Sequence, residues 1–335
     1  MTEFMVVHNM IKDYIHINNQ VSDRHIFYDQ NTYKEISISL FGECNMNCEF
    51  CIGNQRHKVH CPHDFETTIA AAKKEIENTN KKDISIVLYG GELFHDGIKD
   101  KTFVQYKRLI DQLTQFTISV NKTISWTIST NLVHKKRERV LAFLESVNID
   151  RLCSSFDFEQ RFTNPKLLET FLDNIQWYDQ QGIDLCFGFI LMNANINSFC
   201  NNHKLIPIFD WLYSRYPIYY DYYHPTNRSA EIVDERTIGQ FLIWLDNHYP
   251  NIETLQNLRN KKHKTCCPAT FIIDGVATRC CNFPLVAKQY AIKKQCFSCQ
   301  YKNVCSHPCI RIMSNSSDCF VKMYYEYLDA KNDIN

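Results

Sequence analysis

Residues 42–53 read GECNMNCEFCIG and follow a short apolar, β-branched run at residues 36–41, ISISLF. Cys44, Cys48 and Cys51 are spaced three residues and then two residues apart in one predicted loop. A structural zinc or a fully ligated [4Fe–4S] cluster takes four protein ligands. Three thiolates from one loop leave one iron open to a ligand from outside the chain. Phe50 stands directly before the third cysteine, where a ring can screen a cluster from water. The competing reading is a zinc site completed by His57, His60 or His63.

The rest of the composition narrows the class. The chain has 335 residues with 37 basic and 37 acidic side chains, so it carries no bulk charge to attract nucleic acid. Hydrophobic residues make up 44%, enough to build a large core. The N-terminal stretch lacks a basic start and is interrupted by Glu3 and Asp13, so it does not read as a signal peptide. No run approaches the roughly 20 apolar residues of a membrane helix. The expectation is a cytoplasmic protein in which sixteen cysteines serve metal or redox chemistry rather than a disulfide framework. Three cysteines cluster early, and nine lie between Cys266 and Cys319. The other four, Cys61, Cys153, Cys186 and Cys200, read as small buried side chains.

Strands are predicted at residues 36–41, 84–89, 124–129, 151–156, 185–191 and 218–223, each rich in β-branched or aromatic residues. Helices are predicted near 64–80, 100–118, 134–147, 165–181 and 203–215. Asn164-Pro165 caps the fourth helix and Gly182 ends it. Strands alternating with helices predict an α/β fold with a parallel sheet, whose chemistry lies at the C-terminal ends of the strands. The cysteine loop, Gly90-Gly91-Glu92, Thr130-Asn131 and Asp157 then share one rim. The pattern changes near residue 231, where a helix at 234–248 leads to a basic stretch and the cysteine-rich region.

The pattern CxxxCxΦC, with an aromatic Φ and placed after a first strand, resembles the signature of radical S-adenosylmethionine (SAM) enzymes. Gly90-Gly91-Glu92 is similar to that family's GGE motif. Ser129-Thr130-Asn131 is similar to its TNG segment, and Ser155-Phe156-Asp157 to its S-[IL]-D segment, with Phe158 where a glycine usually follows. The resemblance implies a partial (β/α)6 TIM-like barrel over residues 36–230, after an N-terminal arm at 1–35. It assigns SAM contacts to Gly90, Gly91, Glu92, Ser129, Asn131 and Ser155, with Arg161 pairing the methionyl carboxylate. The segment 188–195, GFILMNAN, is a candidate adenine-facing strand end.

The later cysteines are spaced Cys266-x8-Gly275-x4-Cys280, then Cys296-x2-Cys299-x5-Cys305-x3-Cys309-x9-Cys319. This resembles the SPASM (twitch-type) domain of peptide-modifying radical SAM enzymes, over residues 261–327, joined through a helical bridge at 231–260 and followed by a polar tail at 328–335. It departs from the family in a short last spacer and in the doublets Cys266-Cys267 and Cys280-Cys281. The resemblance implies three [4Fe–4S] clusters in all. Cys296, Cys299, Cys305 and Cys319 would hold the outer auxiliary cluster, and Cys266, Cys280 and Cys309 the inner one, with Cys267 or an open site as its fourth position. Zinc knuckles are the alternative. Cys281 occupies a position where related sulfatase-maturing enzymes carry a catalytic carboxylate. A thiol there suits a hydrogen-atom donor, a fourth ligand or a packed core residue.

The implied activity is reductive cleavage of SAM to a 5′-deoxyadenosyl radical, which abstracts hydrogen from a ribosomally made precursor peptide. The modification would be a thioether or carbon–carbon crosslink, or an epimerisation. The implied partners are that peptide and a flavodoxin- or ferredoxin-type electron donor. A radical dehydrogenase of a small molecule and a non-enzymatic zinc module are the other readings. Residues 213–224, YSRYPIYYDYYH, are a candidate groove or, alternatively, core packing.

Overall fold

The computed structural model describes residues 33–51, 65–223, 233–260, 269–273, 275–278, 296, 298–302, 304–305 and 318–332. Six parallel strands run in sequence order: β1 (Tyr33–Ser39), β2 (Asp83–Tyr89), β3 (Thr123–Ser129), β4 (Arg151–Ser155), β5 (Leu185–Leu191) and β6 (Ile218–Tyr222). Helices connect them: α1 (Phe65–Asn78), α2 (Asp100–Ser119), α3 (Arg137–Ser146), α4 (Phe158–Arg161), α5 (Pro165–Gln180), α6 (Asn193–Cys200) and α7 (Ile206–Arg215). This is the α/β architecture expected from the alternating pattern.

The strands form because their β-branched residues alternate with small polar ones, and the alternation sorts them onto two faces. Ile36, Ile38, Ile84, Ile86, Leu88, Trp126, Ile128, Phe187 and Phe189 are buried in the core. Each such side chain contributes on the order of 1.5–3 kcal/mol on burial. The intervening positions form the opposite face: Glu35, Ser37 and Ser39 on β1, Ser125, Thr127 and Ser129 on β3, Cys153 and Ser155 on β4, Gly188 on β5, and Tyr219 and Asp221 on β6. With Val87 and Tyr89 of β2 and Ile190 of β5, that face mixes polar, small and a few larger side chains, and part of it lines a cavity.

Several elements differ from expectation. The predicted helix at 134–147 begins only at Arg137, because Asp96 Oδ1 accepts from the backbone N–H groups of Lys135 and Lys136 at 3.0 and 3.1 Å and holds them in a turn. The predicted helix at 203–215 begins only at Ile206. Of the segment 188–195 read as a strand end, 188–191 do end β5, with Gly188, Phe189 and Ile190 on the cavity wall, and a separate helix, α6, begins at Asn193. Asn164 and Pro165 do start α5, with the Asn164 side chain accepting from Lys166 N at 2.9 Å, and Gly182 follows its end at φ +76°.

After β6 come α8 (Glu235–His248) and α9 (Glu253–Arg259), then a hairpin of β7 (Thr270–Ile273) and β8 (Val276–Thr278). β7 pairs in parallel with β1, so the sheet order is β6-β5-β4-β3-β2-β1-β7-β8. Gly275 turns the hairpin at φ +71°, and a Cβ there would lie 2.4 Å from Thr67 Cγ2. The last helix, α10 (Phe320–Asn332), runs past Tyr327, where the polar tail was expected. Its Tyr324 hydroxyl and Lys331 ammonium donate to Asp246 of α8 at 2.9 and 3.0 Å. Gly239 lets the two helices approach, since a Cβ would lie 2.9 Å from Met323 Sδ.

Candidate active site at the carboxyl rim

The turns after β1 to β4 form one hydrogen-bonded unit. Gly91 N donates to Phe41 O at 2.7 Å and Glu92 N to Glu43 O at 2.8 Å, fastening the β2 turn to the cysteine loop. A Cβ on Gly91 would stand 1.8 Å from Glu43 O, and one on Gly90 2.6 Å from Phe41 O, so only glycine permits this contact. Glu92 is fully buried, and its carboxylate accepts from Thr130 Oγ1 at 2.7 Å, Phe94 N at 2.9 Å and Asn131 N. Asn131 Nδ2 donates to Asn45 Oδ1 at 2.7 Å, and Asn45 donates to Val133 O, which returns the network to the cysteine loop.

A cavity of about 210 Å³ opens within this unit. Cys44, Cys48, Cys51, Gly90, Gly91, Ser129, Asn131, Ser155 and Arg161, spread over more than one hundred residues of sequence, all line it. Glu92, to which the resemblance assigns a cofactor contact, does not line it and holds the β3 turn from behind. Arg161 Nε donates to Asp157 Oδ2 at 3.2 Å, and its guanidinium stands 5.7 Å from the Phe50 ring centre. Asp157 Oδ2 also accepts from Ser155 Oγ at 3.0 Å, while Oδ1 accepts from Ile190 N at 2.9 Å and Asn195 Nδ2 at 3.0 Å. This aspartate therefore locks β4 to β5 and α6.

The motifs do not single out Met46 of the cysteine loop or Cys153 and Ser154 of β4, whereas Tyr219 and Asp221 of β6 belong to the segment 213–224 read as a candidate groove. Strand alternation carries the signal for Cys153, Tyr219 and Asp221, since each lies on the face opposite the core. The Asp221 side chain, exposed toward the cavity, makes no hydrogen bond or ion pair among the described residues, and the surrounding wall and then the neighbouring Asp157 raise its carboxyl above the usual carboxylate range. Glu35, deeper along the same face, is pushed up to about 7 by burial first and also by Asp221 and Glu253.

The donor set fits an iron–sulfur cluster. Burial, then Glu92 and the two sister cysteines, raise the Cys44 thiol to about 11 despite the Met46 N–H, so a positive metal centre is the counter-charge that would favour thiolates here. No three His, Cys, Asp or Glu side chains among the described residues lie close enough to hold a single metal ion. His57, His60, His63 and Cys61 lie outside the described residues.

Of the auxiliary cysteines, Cys296, Cys299, Cys305 and Cys319 are described and half-buried. Cys319 precedes α10 and is raised by burial and further by Glu235 and Cys296, which places Cys296 near it. Cys305 N donates to Tyr301 O at 2.8 Å, and its thiol adjoins Tyr222 and Tyr325. Cys266, Cys267, Cys280, Cys281 and Cys309 lie outside the described residues. Of the four cysteines read as small buried side chains, Cys186 is buried as expected but bonded to the half-buried Cys153, Cys200 is exposed, and Cys61 lies outside the described residues.

A family described as a 4Fe-4S single cluster domain matches residues 36–167, the span that holds the cysteine loop and the turns after β2, β3 and β4. Among curated proteins no sequence match is found. Solved structures do match. The anSMEcpe enzyme with bound AdoMet and the Cp18Cys peptide superimposes at a TM-score of 0.62 and 13% identity, over 90% of this chain and 100% of that one. A hexahistidine-tagged form of anSMEcpe with bound AdoMet matches at 0.62 and 13%, over 90% and 98%. The chain thus shares its fold with anSMEcpe over nine-tenths of its length. Among the described residues, no helix is long and apolar enough to cross a membrane.

Proposed function

We propose that this chain is a radical SAM enzyme that modifies a ribosomally made peptide. One observation carries the reading: the three-cysteine loop, the Gly90-Gly91 turn, Ser129, Asn131, Ser155 and Arg161 line one cavity. Cys44, Cys48 and Cys51 would hold the [4Fe–4S] cluster. With S-adenosylmethionine on its open iron, that cluster supplies a 5′-deoxyadenosyl radical when bound. The chain's own residues then do three things. Gly90 and Gly91 bring backbone to the cavity wall, the Glu92–Thr130–Asn131 network fixes the rim, and Arg161 offers a cation whose orientation Asp157 sets.

A peptide substrate is supported by the likeness to anSMEcpe, whose structure includes a peptide. The polar residues of the cavity wall support it further, since they offer hydrogen-bonding partners to a polar chain. Cys296, Cys299, Cys305 and Cys319 would serve one auxiliary cluster and the inner set a second, with electrons from a flavodoxin- or ferredoxin-type donor.

Anaerobic reconstitution tests this. About twelve irons with matching sulfide per chain, four for each cluster, support three clusters. Changing Cys44, Cys48 and Cys51 together to Ala should abolish 5′-deoxyadenosine formation. Zinc without sulfide, or 5′-deoxyadenosine from the triple variant, overturns the reading. Mass spectrometry of the precursor peptide then separates the chemistries. Loss of two hydrogens marks crosslinking or oxidation, and an unchanged mass that gains deuterium from heavy water marks epimerisation.

A further inference from the structure

Cys153 and Cys186 are partners in the β4–β5 register, with Cα atoms 4.8 Å apart and the two sulfurs bonded. That separation lies within the range a disulfide accepts. Their surroundings differ. Cys153 lines the cavity alongside Cys44, Cys48 and Cys51, whereas Cys186 is 4% exposed.

The strands do not depend on the bond between them. Leu152 N donates to Asp184 O at 2.9 Å and Phe156 N to Gly188 O at 2.8 Å, on either side of the pair. Arg151 Nε also donates to Asp184 Oδ2 at 2.8 Å. Opening the bond thus leaves β4 and β5 joined, so the pair is free to change redox state without unfolding its surroundings.

We propose that Cys153 and Cys186 are a thiol–disulfide couple built into the wall of the cavity, reacting with small thiols and disulfides that enter it. Cys153 is the sulfur they meet, and Cys186 is the resolving cysteine. In the oxidising direction the Cys153 thiolate attacks a small disulfide, forming a mixed disulfide and releasing one small thiolate. The Cys186 thiolate attacks the Cys153 sulfur and releases the second. Two electrons pass from the pair to the small disulfide, and the two cysteine protons end on the two small thiols. A small dithiol runs the same steps in reverse.

The test uses the anaerobically purified full chain. It is reduced with dithiothreitol, exposed to cystamine, blocked with N-ethylmaleimide in denaturant and digested for mass spectrometry. A linked Cys153–Cys186 peptide after cystamine, replaced by two alkylated peptides after dithiothreitol alone, is expected. Two alkylated cysteines after cystamine, or Cys153 linked mainly to another cysteine, overturn the couple. In Cys186→Ser the resolving step is lost, so cystamine should remain attached at Cys153. An unmodified Cys153 beside a labelled Cys200, the exposed internal control, overturns the assignment of roles. Should that variant not fold, the wild-type mapping decides alone. A last arm separates this from the functional proposal. In the cluster-loaded protein, AdoMet at ten times its dissociation constant should slow cystamine attack about ten-fold. Formation of the couple without AdoMet protection leaves the couple standing and counts against the cavity as the AdoMet site.

Discussion

The rim closes the β2 turn in one way and the turns after β3 and β4 in another. After β2, Gly90 and Gly91 bring backbone onto backbone, with no room for a Cβ against Phe41 and Glu43. After β3 and β4 the chain bends through left-handed residues that are not glycine, Leu132 at φ 55° and Phe158 at φ 44°. These are the positions where the resembled TNG and S-[IL]-D segments have glycine. A left-handed residue with a branched or aromatic side chain costs roughly 1–2 kcal/mol. Here burial offsets that cost. Leu132 is fully buried, and the Phe158 ring meets Phe199 edge-on at 4.9 Å and Phe156 at 5.2 Å. The first turn is limited by space and the other two by conformation, and substitutions separate the two limits.

Gly91→Ala should have the largest effect. Its methyl group meets the Glu43 carbonyl, which is backbone and part of the cysteine loop, so the loop must move. We expect a loss of roughly 3 kcal/mol by urea denaturation, together with fewer irons and sulfides retained on reconstitution. Normal stability with full iron content would show that the loop yields, and that space does not limit this turn.

At the other two turns the usual order of substitutions should invert. Within regular structure glycine is about 0.5–1 kcal/mol worse than alanine. At 132 and 158 both substitutions lose the same buried side chain, at about 2–5 kcal/mol, but only glycine removes the backbone strain. Leu132→Gly should therefore be about 1 kcal/mol more stable than Leu132→Ala, and Phe158→Gly more stable than Phe158→Ala by a similar amount. Equal midpoints, or alanine above glycine, would show that the strain is absorbed elsewhere.

Glu92→Gln tests the group joining the two kinds of turn. Three donors point at this buried carboxylate, and an amide presents an N–H to at least one of them. The cost should be about 1–3 kcal/mol, read by urea midpoint, with Thr130→Val non-additive to it because the two share a hydrogen bond.

The alternation of strands and helices was legible in the sequence because most strands carry their own β-branched or aromatic pattern, and 185–191 matches β5 residue for residue. The wall residues at Cys44, Cys48, Cys51, Gly90, Gly91, Ser129, Asn131, Ser155 and Arg161 were legible because motif and strand order coincide. What depends on partners distant in sequence was not. β7 is four residues long and pairs with a strand more than two hundred residues earlier. Cys153 and Cys186 meet only through the register of β4 against β5. Glu92 turns inward because Thr130 and Asn131 supply donors there, and a side chain's direction is not written in a motif. α6 escaped because its asparagines favour turns.

The last effect, spread over a pH window rather than read at one pH, concerns a carboxylate that lacks donors like those of Glu92. Glu35 has a hydrogen bond from Ser37 Oγ at 3.3 Å, and burial lifts it from 4.5 to about 7. Burial also raises Glu92, although its three donors oppose the rise. A carboxyl with a raised folded-state pKa binds its proton more tightly in the folded chain than in the unfolded one. Its penalty is therefore absent below the unfolded value, grows as pH rises through the window from 4.5 to about 7, and is complete above it. At most about 3 kcal/mol is involved, reduced by whatever water reaches the carboxylate. Glu35→Gln removes the charge and keeps the shape, so the variant should gain on the wild type steadily across that window. Urea midpoints at four or five pH values check this. Parallel wild-type and variant curves would mean that Glu35 ionises there as freely as on a surface, and that its surroundings already supply the solvation which the rim provides only through Glu92's donors.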